Sequence, residues 1–319
     1  MSFGVSSVAL LHLLDNQLQG QIDRMNRTGY GLLVVHVNTP SAAPTGMHME
    51  KLEERYPRHT YLSVDLTEVF NCPSRILEGL GEPESISAPS GLGSQDSNQD
   101  KLDRLLESLP SATSRMDILN ILRTRLLVEN AKKRGCEGII WGDSTTRLAE
   151  KILAETAKGR GFSLPWQLSD GISPHGVAFK YPLRDLLKKE LVTYASLTTP
   201  PLNQFIVSEQ APQAFTSKNT TIDNLVTNYF ESVEENFPSI VANVVRTSGK
   251  LSARQSFGDG KRCGICEMPI AEGTGGLHGW GGGQEKMDLS SSHLCSDEKL
   301  CYGCARSSLR VTTSVRTGP

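Results

Sequence analysis

Hydrophobic residues in the first part of the chain alternate between helical and strand spacing. Residues 5–19 and 47–55 have apolar positions at helical intervals and predict two helices. Residues 31–37 (GLLVVHV) are continuously apolar, which is typical of a parallel strand that is covered on both faces. Residues 60–66 (TYLSVDL) predict a second strand.

The same alternation resumes after an interruption. Residues 79–100 are rich in Gly, Ser and Pro and poor in apolar residues, and they predict a disordered insertion. A long helix is expected over residues 116–134, and a strand over 138–141 follows it. A helix capped by Ser144 or Thr145 then extends to about residue 158, and residues 183–195 predict a further helix.

Repeated strand, helix, strand order indicates an α/β fold, with a parallel sheet and helices on both of its faces. We expect this domain to occupy residues 1–200. A connector and one helix, predicted over 222–245, occupy residues 201–260. The tail, residues 261–319, has little regular pattern and carries two CxxC pairs.

Composition narrows the class of protein. Of 319 residues, 38% are hydrophobic and the formal net charge is −2, so a packed core is expected and any nucleic-acid binding must use a local patch. No apolar run reaches the length of about 18 residues that predicts a membrane span, and no secretory signal is evident. Seven cysteines without an export signal favour reduced thiols and a metal over disulfides.

Two turns are candidates for a phosphate site. Residues 2–7 (SFGVSS) precede the first helix, and a helix N-terminus directs main-chain N–H groups at one point, which suits phosphate. A competing and stronger interpretation is that Ser6 only caps that helix. The second turn follows Trp141, at the sheet edge where ligands of such folds bind.

The residues of this second turn carry a family resemblance. Together with FSLPW at 162–166 and YPLRDLLKKELVTYA at 181–195, the segment GDSTTRLAE at 142–150 resembles the cytoplasmic tRNA 2-thiolation protein 2 family. Those proteins are relatives of the PP-loop ATP pyrophosphatases. The resemblance extends from residue 2 to the terminal CxxC pairs, and it implies a Rossmann-like PP-loop fold and a cytoplasmic protein.

The resemblance also implies that the nucleotide site is degenerate. Active PP-loop enzymes carry SGGxDS, whereas this chain has Phe3 in place of a glycine and Ser6 in place of the acid. At the second turn, Thr146 and Arg147 replace two acids that are expected to hold magnesium. ATP binding is therefore not expected. The degenerate nucleotide loop comprises Ser2, Gly4, Ser6, Ser7, Asp143 and Ser144.

Two further elements of the active relatives are not found. Their mid-chain CxxC and later cysteine have no counterpart in residues 117–125 or 191–207. The PP-loop also normally follows a central buried strand, whereas only Met1 precedes Ser2 here. We therefore expect the sheet to lack its first strand, which would leave strand edges unpaired.

A local basic surface is the candidate site for tRNA, because phosphate backbones attract clustered Lys and Arg without sequence readout. The alternative for any one cluster is an ordinary solvated helix face. The predicted tRNA-binding residues are Arg147, Lys158, Arg160, Lys180 and Arg184.

The terminal cysteines predict a metal site. Cys263 with Cys266 and Cys301 with Cys304 form two knuckles whose spacing suits a closed, structural Zn²⁺ site in a small zinc-ribbon-like module. Cys295, His293 and His278 lie between the knuckles and are alternative ligands. An iron–sulfur cluster is a weaker alternative, because no ferredoxin spacing occurs.

The resemblance implies a non-catalytic subunit that forms a heterodimer with a catalytic tRNA thiolase. That complex takes sulfur from a thiocarboxylated ubiquitin-related carrier, which this chain contacts only indirectly, and places it on C2 of the wobble uridine in lysine, glutamate and glutamine tRNAs. A link to protein urmylation is a further implication. The competing hypotheses are an active ATP-dependent tRNA sulfurtransferase and a zinc-stapled adaptor unrelated to RNA.

Overall fold

The computed structural model describes residues 1–39, 46–72, 97–207, 220–251, 262–270 and 300–308. The α-helices in these ranges are α1 (Val5–Met25), α2 (Gly46–Arg55), α3 (Asn98–Ser108), α4 (Ala112–Lys133), α5 (Thr145–Ala157), α6 (Leu164–Leu168), α7 (Lys188–Leu197), α8 (Ile222–Asn236), α9 (Pro238–Ser248) and α10 (Tyr302–Ser308). The strands are β1 (Leu33–Asn38), β2 (Thr60–Asp65), β3 (Gly138–Ile140), β4 (Gly171–Ile172) and β5 (Ala178–Lys180).

The described strands form two small sheets instead of one continuous sheet. Strands β1 and β2 pair in parallel, with Leu33 opposite Thr60. Strand β5 pairs in parallel with β3 and antiparallel with β4. The α/β class and the parallel pairing are confirmed, whereas the antiparallel strand was not predicted. The expectation that a first strand is lacking stays a prediction.

The N-terminal segment lies between the two sheets. The amino nitrogen of Met1 donates a hydrogen bond to the Val35 carbonyl oxygen on β1. At the second sheet, a Cβ added to Gly142 would lie 3.2 Å from the Cα of Ser7, so the turn after β3 packs directly on the first turn of α1. The two predicted phosphate turns are therefore neighbours.

Local sequence explains where α3 begins. The Ser97 hydroxyl accepts a hydrogen bond from the Asp100 amide, and the Asp100 carboxylate accepts one from the Ser97 amide, so these two residues form a capping box for α3. Residues 97–100 are thus ordered helix and cap, which corrects the C-terminal end of the insertion predicted over 79–100. Residues 79–96 lie outside the described residues.

Two predicted helices have different bounds. The helix expected over 222–245 is two helices, α8 and α9, because Pro238 has no N–H to donate within a helix and instead begins a new one. The helix expected over 183–195 begins only at Lys188. The Glu190 carboxylate accepts a hydrogen bond from the Leu187 amide at 2.7 Å and so fixes that start.

Buried clusters join distant parts of the chain. One cluster packs α8 and α9 against α5, so residues from the predicted connector region contribute to the core of the α/β part. Another contains all four terminal-pair cysteines together with core residues of β2 and α4, including Val64, Ile118 and Leu122. None of the helices in the described ranges combines the length and apolar character that a membrane crossing needs.

Candidate functional site

The serines of the N-terminal turn bond to one another and to the main chain. The Ser2 and Ser7 hydroxyl oxygens lie 3.2 Å apart, and the Ser2 oxygen also accepts a hydrogen bond from the Gly4 amide at 3.3 Å. Gly4 occupies the N-cap position of α1, and no side chain caps that helix. The interpretation of Ser6 as the cap is therefore wrong, because Ser6 already lies within the first helical turn.

Phe3 fills the place of the glycine expected in an active phosphate loop. Its φ angle is +58°, a left-handed conformation that favours glycine, yet its side chain is fully buried. The phenyl ring packs against His36, with 4.8 Å between ring centroids, and against His48 at 5.8 Å. Burial lowers the pKa of His36, and its Nδ1 lies 2.7 Å from the Met1 carbonyl oxygen. The turn keeps a glycine-like backbone but adds a bulky apolar ring.

The hydroxyl groups of the second turn all form hydrogen bonds with other groups of the protein. The Ser144 hydroxyl caps α5 by accepting a hydrogen bond from the Arg147 amide at 3.3 Å. The Thr145 hydroxyl donates to the Arg184 carbonyl oxygen at 2.7 Å. Thr146 donates its hydroxyl proton to the Glu234 carboxylate at 2.7 Å. This turn is tied to its surroundings by side chains that are themselves buried.

Asp143 is also paired. Its carboxylate lies 2.8 Å from the Lys151 ammonium, which in turn lies over the rings of Trp141 and Tyr181 at 5.8 and 5.9 Å from their centroids. Burial and the nearby Asp143 charge raise the pKa of the Tyr181 hydroxyl. The Asp143 carboxylate is therefore already paired with a lysine.

Three predicted tRNA-binding residues are accessible. The Arg147 side chain is 54% exposed and bonds to Glu150 at 2.6 Å. Lys180 is exposed at the end of β5, and Arg184 is half-buried. Lys180 and Arg184 lie beside the second turn, since their carbonyl oxygens accept hydrogen bonds from Trp141 and Thr145. Their role in tRNA binding stays a prediction.

Lys158 and Arg160 do not fit that prediction. Their side chains are only 5% and 3% exposed, because both lie within a buried network of carboxylates. Lys158 binds Glu155, Asp223 and Asp117 at 2.9, 3.1 and 3.4 Å. A tRNA phosphate cannot reach these two cations, so they are removed from the predicted tRNA surface.

The network holds the Glu155 carboxylate ionised. Burial disfavours the charged form of Glu155, yet the adjacent Arg160 and Lys158 cations hold the pKa of that carboxyl at about 2. The same carboxylates raise the pKa of Lys158 despite its burial. The buried charges are thus mutually compensated, which is the arrangement that makes them tolerable in an interior.

The four terminal-pair cysteines converge on one point. Their sulfur atoms all lie within 4.8 Å of one another, and all four residues are buried. The sulfurs of Cys266 and Cys301 are 3.8 Å apart. Four sulfurs at about 2.3 Å from a tetrahedral zinc ion lie about 3.8 Å from one another. The donor set therefore fits a single metal ion. Residues 278, 293 and 295, the alternative ligands, lie outside the described residues.

Main-chain groups arrange the knuckles. Cys263 and Cys301 each accept a hydrogen bond on sulfur at 3.4 Å, from the amides of Cys301 and Cys304 respectively. A short bridge pairs Arg262 with Pro269 across the first knuckle, and α10 begins directly after Cys301. The first knuckle turn is closed by Glu267, whose φ angle is +56°.

Sequence reasoning missed the residues that connect these sites to the core. Arg125 on α4 is buried and forms an ion pair with Glu267, whose other carboxylate oxygen lies 3.3 Å from His175 Nδ1. Asp117, also on α4, accepts from Arg160. The available signal was that Asp117 and Arg125 flank the apolar helical stripe that contains Ile118 and so were candidates for buried charges.

Comparisons with known proteins bear on the same residues. The family model "Cytoplasmic tRNA 2-thiolation protein 2" matches residues 221–306. A protein of that name from Phaeosphaeria nodorum is 50% identical over 318 residues, which cover 99% of this chain and 81% of the relative. The chain belongs to the cytoplasmic tRNA 2-thiolation protein 2 family. The resemblance inferred from the sequence is thereby confirmed.

Further members of the cytoplasmic tRNA 2-thiolation protein 2 family show the same extent of similarity. The Pyrenophora tritici-repentis protein is 47% identical over 98% of this chain and 82% of the relative. Among solved structures, this chain is similar to the U34-tRNA thiolase NcsA from Methanococcus maripaludis with its 4Fe–4S cluster. That likeness has a TM-score of 0.49 and 14% identity, over 78% of this chain and 68% of that chain.

Proposed function

We propose that this chain is a non-catalytic subunit of a cytoplasmic complex that thiolates C2 of the wobble uridine in lysine, glutamate and glutamine tRNAs. Family membership supports the reaction. The catalytic role is assigned to a partner, a PP-loop thiolase with which this chain forms a heterodimer. In that complex the sulfur comes from a thiocarboxylated ubiquitin-related carrier, which also connects the complex to protein urmylation.

The proposal of a supporting role rests on the second turn, whose polar side chains are bonded to other groups of the protein. Thr146 bonds to Glu234, Ser144 caps α5, and Asp143 pairs with Lys151. A nucleotide with magnesium needs free oxygen ligands and open N–H groups at this edge. With these groups used inside the protein, the chain is not expected to bind ATP or to adenylate tRNA, even though the two turns still meet as a nucleotide site requires.

The supporting role includes tRNA binding. Arg147 and Lys180 are exposed around the second turn, and Arg184 is accessible in part. Charged side chains at such an edge contact phosphates without reading bases. We assign the tRNA contact of this chain to these three residues, without Lys158 and Arg160.

The metal of the cysteine centre is assigned as Zn²⁺. Four thiolates suit zinc in a closed structural site, and the sulfur separations fit one ion. A cluster of four irons spreads its cysteine ligands further apart than a single ion does. Zinc here would leave no open coordination position, so its role is to hold the tail in place and not to react.

Reconstitution tests the proposed role. The purified chain is combined with ATP, magnesium, a sulfur donor and wobble-uridine tRNA, with and without a catalytic thiolase subunit, and the nucleosides are measured by mass spectrometry. We expect 2-thiouridine only with the partner present, and a higher yield when this chain is added. Product formed by this chain alone would contradict the proposal and support the competing hypothesis of an active ATP-dependent sulfurtransferase.

A matched pair of double variants tests whether the second turn contacts tRNA. The double variant Arg147→Gln with Lys180→Gln removes two charges from the second turn, and Arg27→Gln with Lys51→Gln removes two exposed charges elsewhere. Only the first pair is expected to weaken tRNA binding and flatten its salt dependence, by about one unit of slope for each phosphate that is no longer neutralised. Equal behaviour of the two pairs would move the tRNA contact away from this turn.

A further inference from the structure

A buried arginine contacts the cysteine centre from the α/β part of the chain. The Arg160 Nη1 group donates a hydrogen bond to the Cys304 sulfur at 3.8 Å, and the side chain of Arg160 is 3% exposed. Hydrogen bonds to sulfur are long because the atom is large, so this is a direct contact. The donor and the acceptor are separated by 144 residues in sequence.

The guanidinium is held in this orientation by its other donors. Its Nη2 group binds the Asp117 carboxylate, and its Nε group binds Glu155 at 3.0 Å. The second oxygen of Asp117 accepts the hydroxyl of Ser307, on α10 next to the knuckle, at 2.6 Å. Asp117 therefore fixes both the arginine and the helix that carries Cys304.

The absence of a side chain at Gly303 lets the Arg160 side chain reach the second knuckle. A Cβ added to Gly303, between the last two cysteines, would lie 2.5 Å from the Cγ of Arg160 and 2.9 Å from the Lys158 carbonyl oxygen. A side chain at this position would collide with the arginine stem. Residues 158–160 and the second knuckle thus pack so closely that only a glycine fits at position 303.

The chemistry of four buried thiolates explains why a cation is needed. Four thiolates around a divalent ion carry a net charge of −2, and a buried net charge is costly unless it is hydrogen-bonded or paired. Main-chain amides supply donors to Cys263 and Cys301. At Cys304 the donor is the charged side chain of Arg160.

We infer that Arg160 is a positioning residue of the metal centre, which stabilises the Cys304 thiolate and so slows release of the metal. Lys158 lies in the same buried network and shares its carboxylates. Its ammonium binds carboxylate oxygens, whereas the guanidinium of Arg160 binds both carboxylate oxygens and sulfur. Lys158 is therefore a matched control for Arg160. The inference rests on the proposed metal centre and is independent of the tRNA reaction.

The first test measures metal retention in the full chain. Wild type, Arg160→Gln, Arg160→Lys and the matched control Lys158→Gln are loaded with zinc, and transfer of the zinc to a chromophoric chelator is followed. Removal of a hydrogen bond to a metal ligand typically costs about 10- to 100-fold in metal affinity. We expect that loss in Arg160→Gln, a smaller one in Arg160→Lys, and retention near the wild-type value in Lys158→Gln.

A second measurement distinguishes a contact to sulfur from a general loss of packing. With Co²⁺ in place of zinc, the visible bands report four-thiolate tetrahedral coordination, and the ultraviolet bands report sulfur-to-metal charge transfer. Losing an N–H donor raises the energy of the sulfur lone pair. The charge-transfer band of Arg160→Gln should therefore move to longer wavelength, and that of Arg160→Lys by less, while the visible bands persist. The band of Lys158→Gln should stay in place.

The outcomes separate this inference from the proposed centre. Wild-type protein that takes up no metal would remove the centre and the inference with it. A metal-loaded wild type with unchanged release and spectra in both Arg160 variants would overturn only the role of Arg160. Equal weakening by Lys158→Gln would also overturn it, since the network as a whole, and not the sulfur contact, would then retain the metal. If Arg160→Gln does not fold, Arg160→Lys carries both measurements.

Discussion

Phe3 combines two opposing contributions to stability in one residue. Its left-handed backbone costs about 1–2 kcal/mol for a residue with a side chain. Its fully buried ring offsets this cost, because it packs on His36 and His48 and belongs to a cluster with Val8 and Leu52. Phe3 thus contributes to the core of the protein.

Substitution of Phe3 separates the two contributions. Phe3→Ala removes the ring but keeps the strained backbone, and it should destabilise the protein by about 3–5 kcal/mol. Phe3→Gly removes the ring and relieves the strain, so we expect it to be about 1 kcal/mol more stable than Phe3→Ala. Urea unfolding of the three proteins measures both differences. A glycine variant less stable than the alanine variant would contradict this account of the turn.

Individual residues were predicted well where their role follows from local chemistry. The four cysteines that converge were evident from residue type and spacing, whereas the comparison of Phe3 with a glycine came from the family resemblance and stays a prediction. Lys158 and Arg160 were assigned to the wrong environment, because their partners are remote: Asp223 lies 65 residues from Lys158, and Asp117 lies 43 residues from Arg160. A cluster of positive charge in sequence does not show whether carboxylates from other helices cover it.

Helices α5, α7 and α8 meet at one carboxylate. Glu234 on α8 accepts the Thr146 hydroxyl of α5 at 2.7 Å and the Lys189 amide in the first turn of α7 at 3.0 Å. The Lys188 amide donates in turn to the Thr146 hydroxyl oxygen at 2.9 Å. Glu234 and Thr146 are both buried, so these donors have no water to replace a missing partner.

Removing this carboxylate tests whether it holds the three helices together. Glu234→Ala leaves buried donors without an acceptor, and we expect it to lower the free energy of unfolding by about 2–4 kcal/mol. The adjacent, exposed Glu235 provides the control, since Glu235→Ala should change stability by less than about 0.5 kcal/mol. Urea unfolding compares the two. A loss in Glu234→Ala as small as that expected of Glu235→Ala would show that α8 is held by its apolar face alone.

Whole helices and strands were more predictable than their ends. The continuous apolar run predicted β1, and the small-residue turn before α1 was located correctly. Of the two caps that were predicted for α5, Ser144 and Thr145, the structure has Ser144. Apolar spacing could not show that α8 stops before Pro238, because the hydrophobic pattern continues into α9. Division of the strands between two sheets depends on pairing partners that spacing along the chain does not specify.

The cysteine centre is part of the shared core and not a separate unit in the described residues. Its four cysteines pack in one cluster with Val64 of β2 and Leu122 of α4. Arg125 on α4 binds Glu267 beside the first knuckle, and Arg160 binds Cys304 of the second. Spacing in the sequence predicted which four cysteines converge, whereas these long-range contacts, which join the tail to the α/β part, had no local signal.

Metal removal should therefore weaken the whole protein and not only its tail. A metal at a free concentration of about 1,000 times its dissociation constant stabilises a fold by about 4 kcal/mol. Because each kcal/mol shifts the thermal midpoint by about 2–4 °C, removal of the metal should lower the midpoint by on the order of 10 °C. We expect helix ellipticity and the fluorescence of Trp166, which packs against this cluster, to fall together in one shifted transition after chelation. Added zinc should restore the midpoint in wild type but not in Cys301→Ser. An unchanged midpoint with a tail that becomes sensitive to protease would instead show that the centre folds independently of the α/β part.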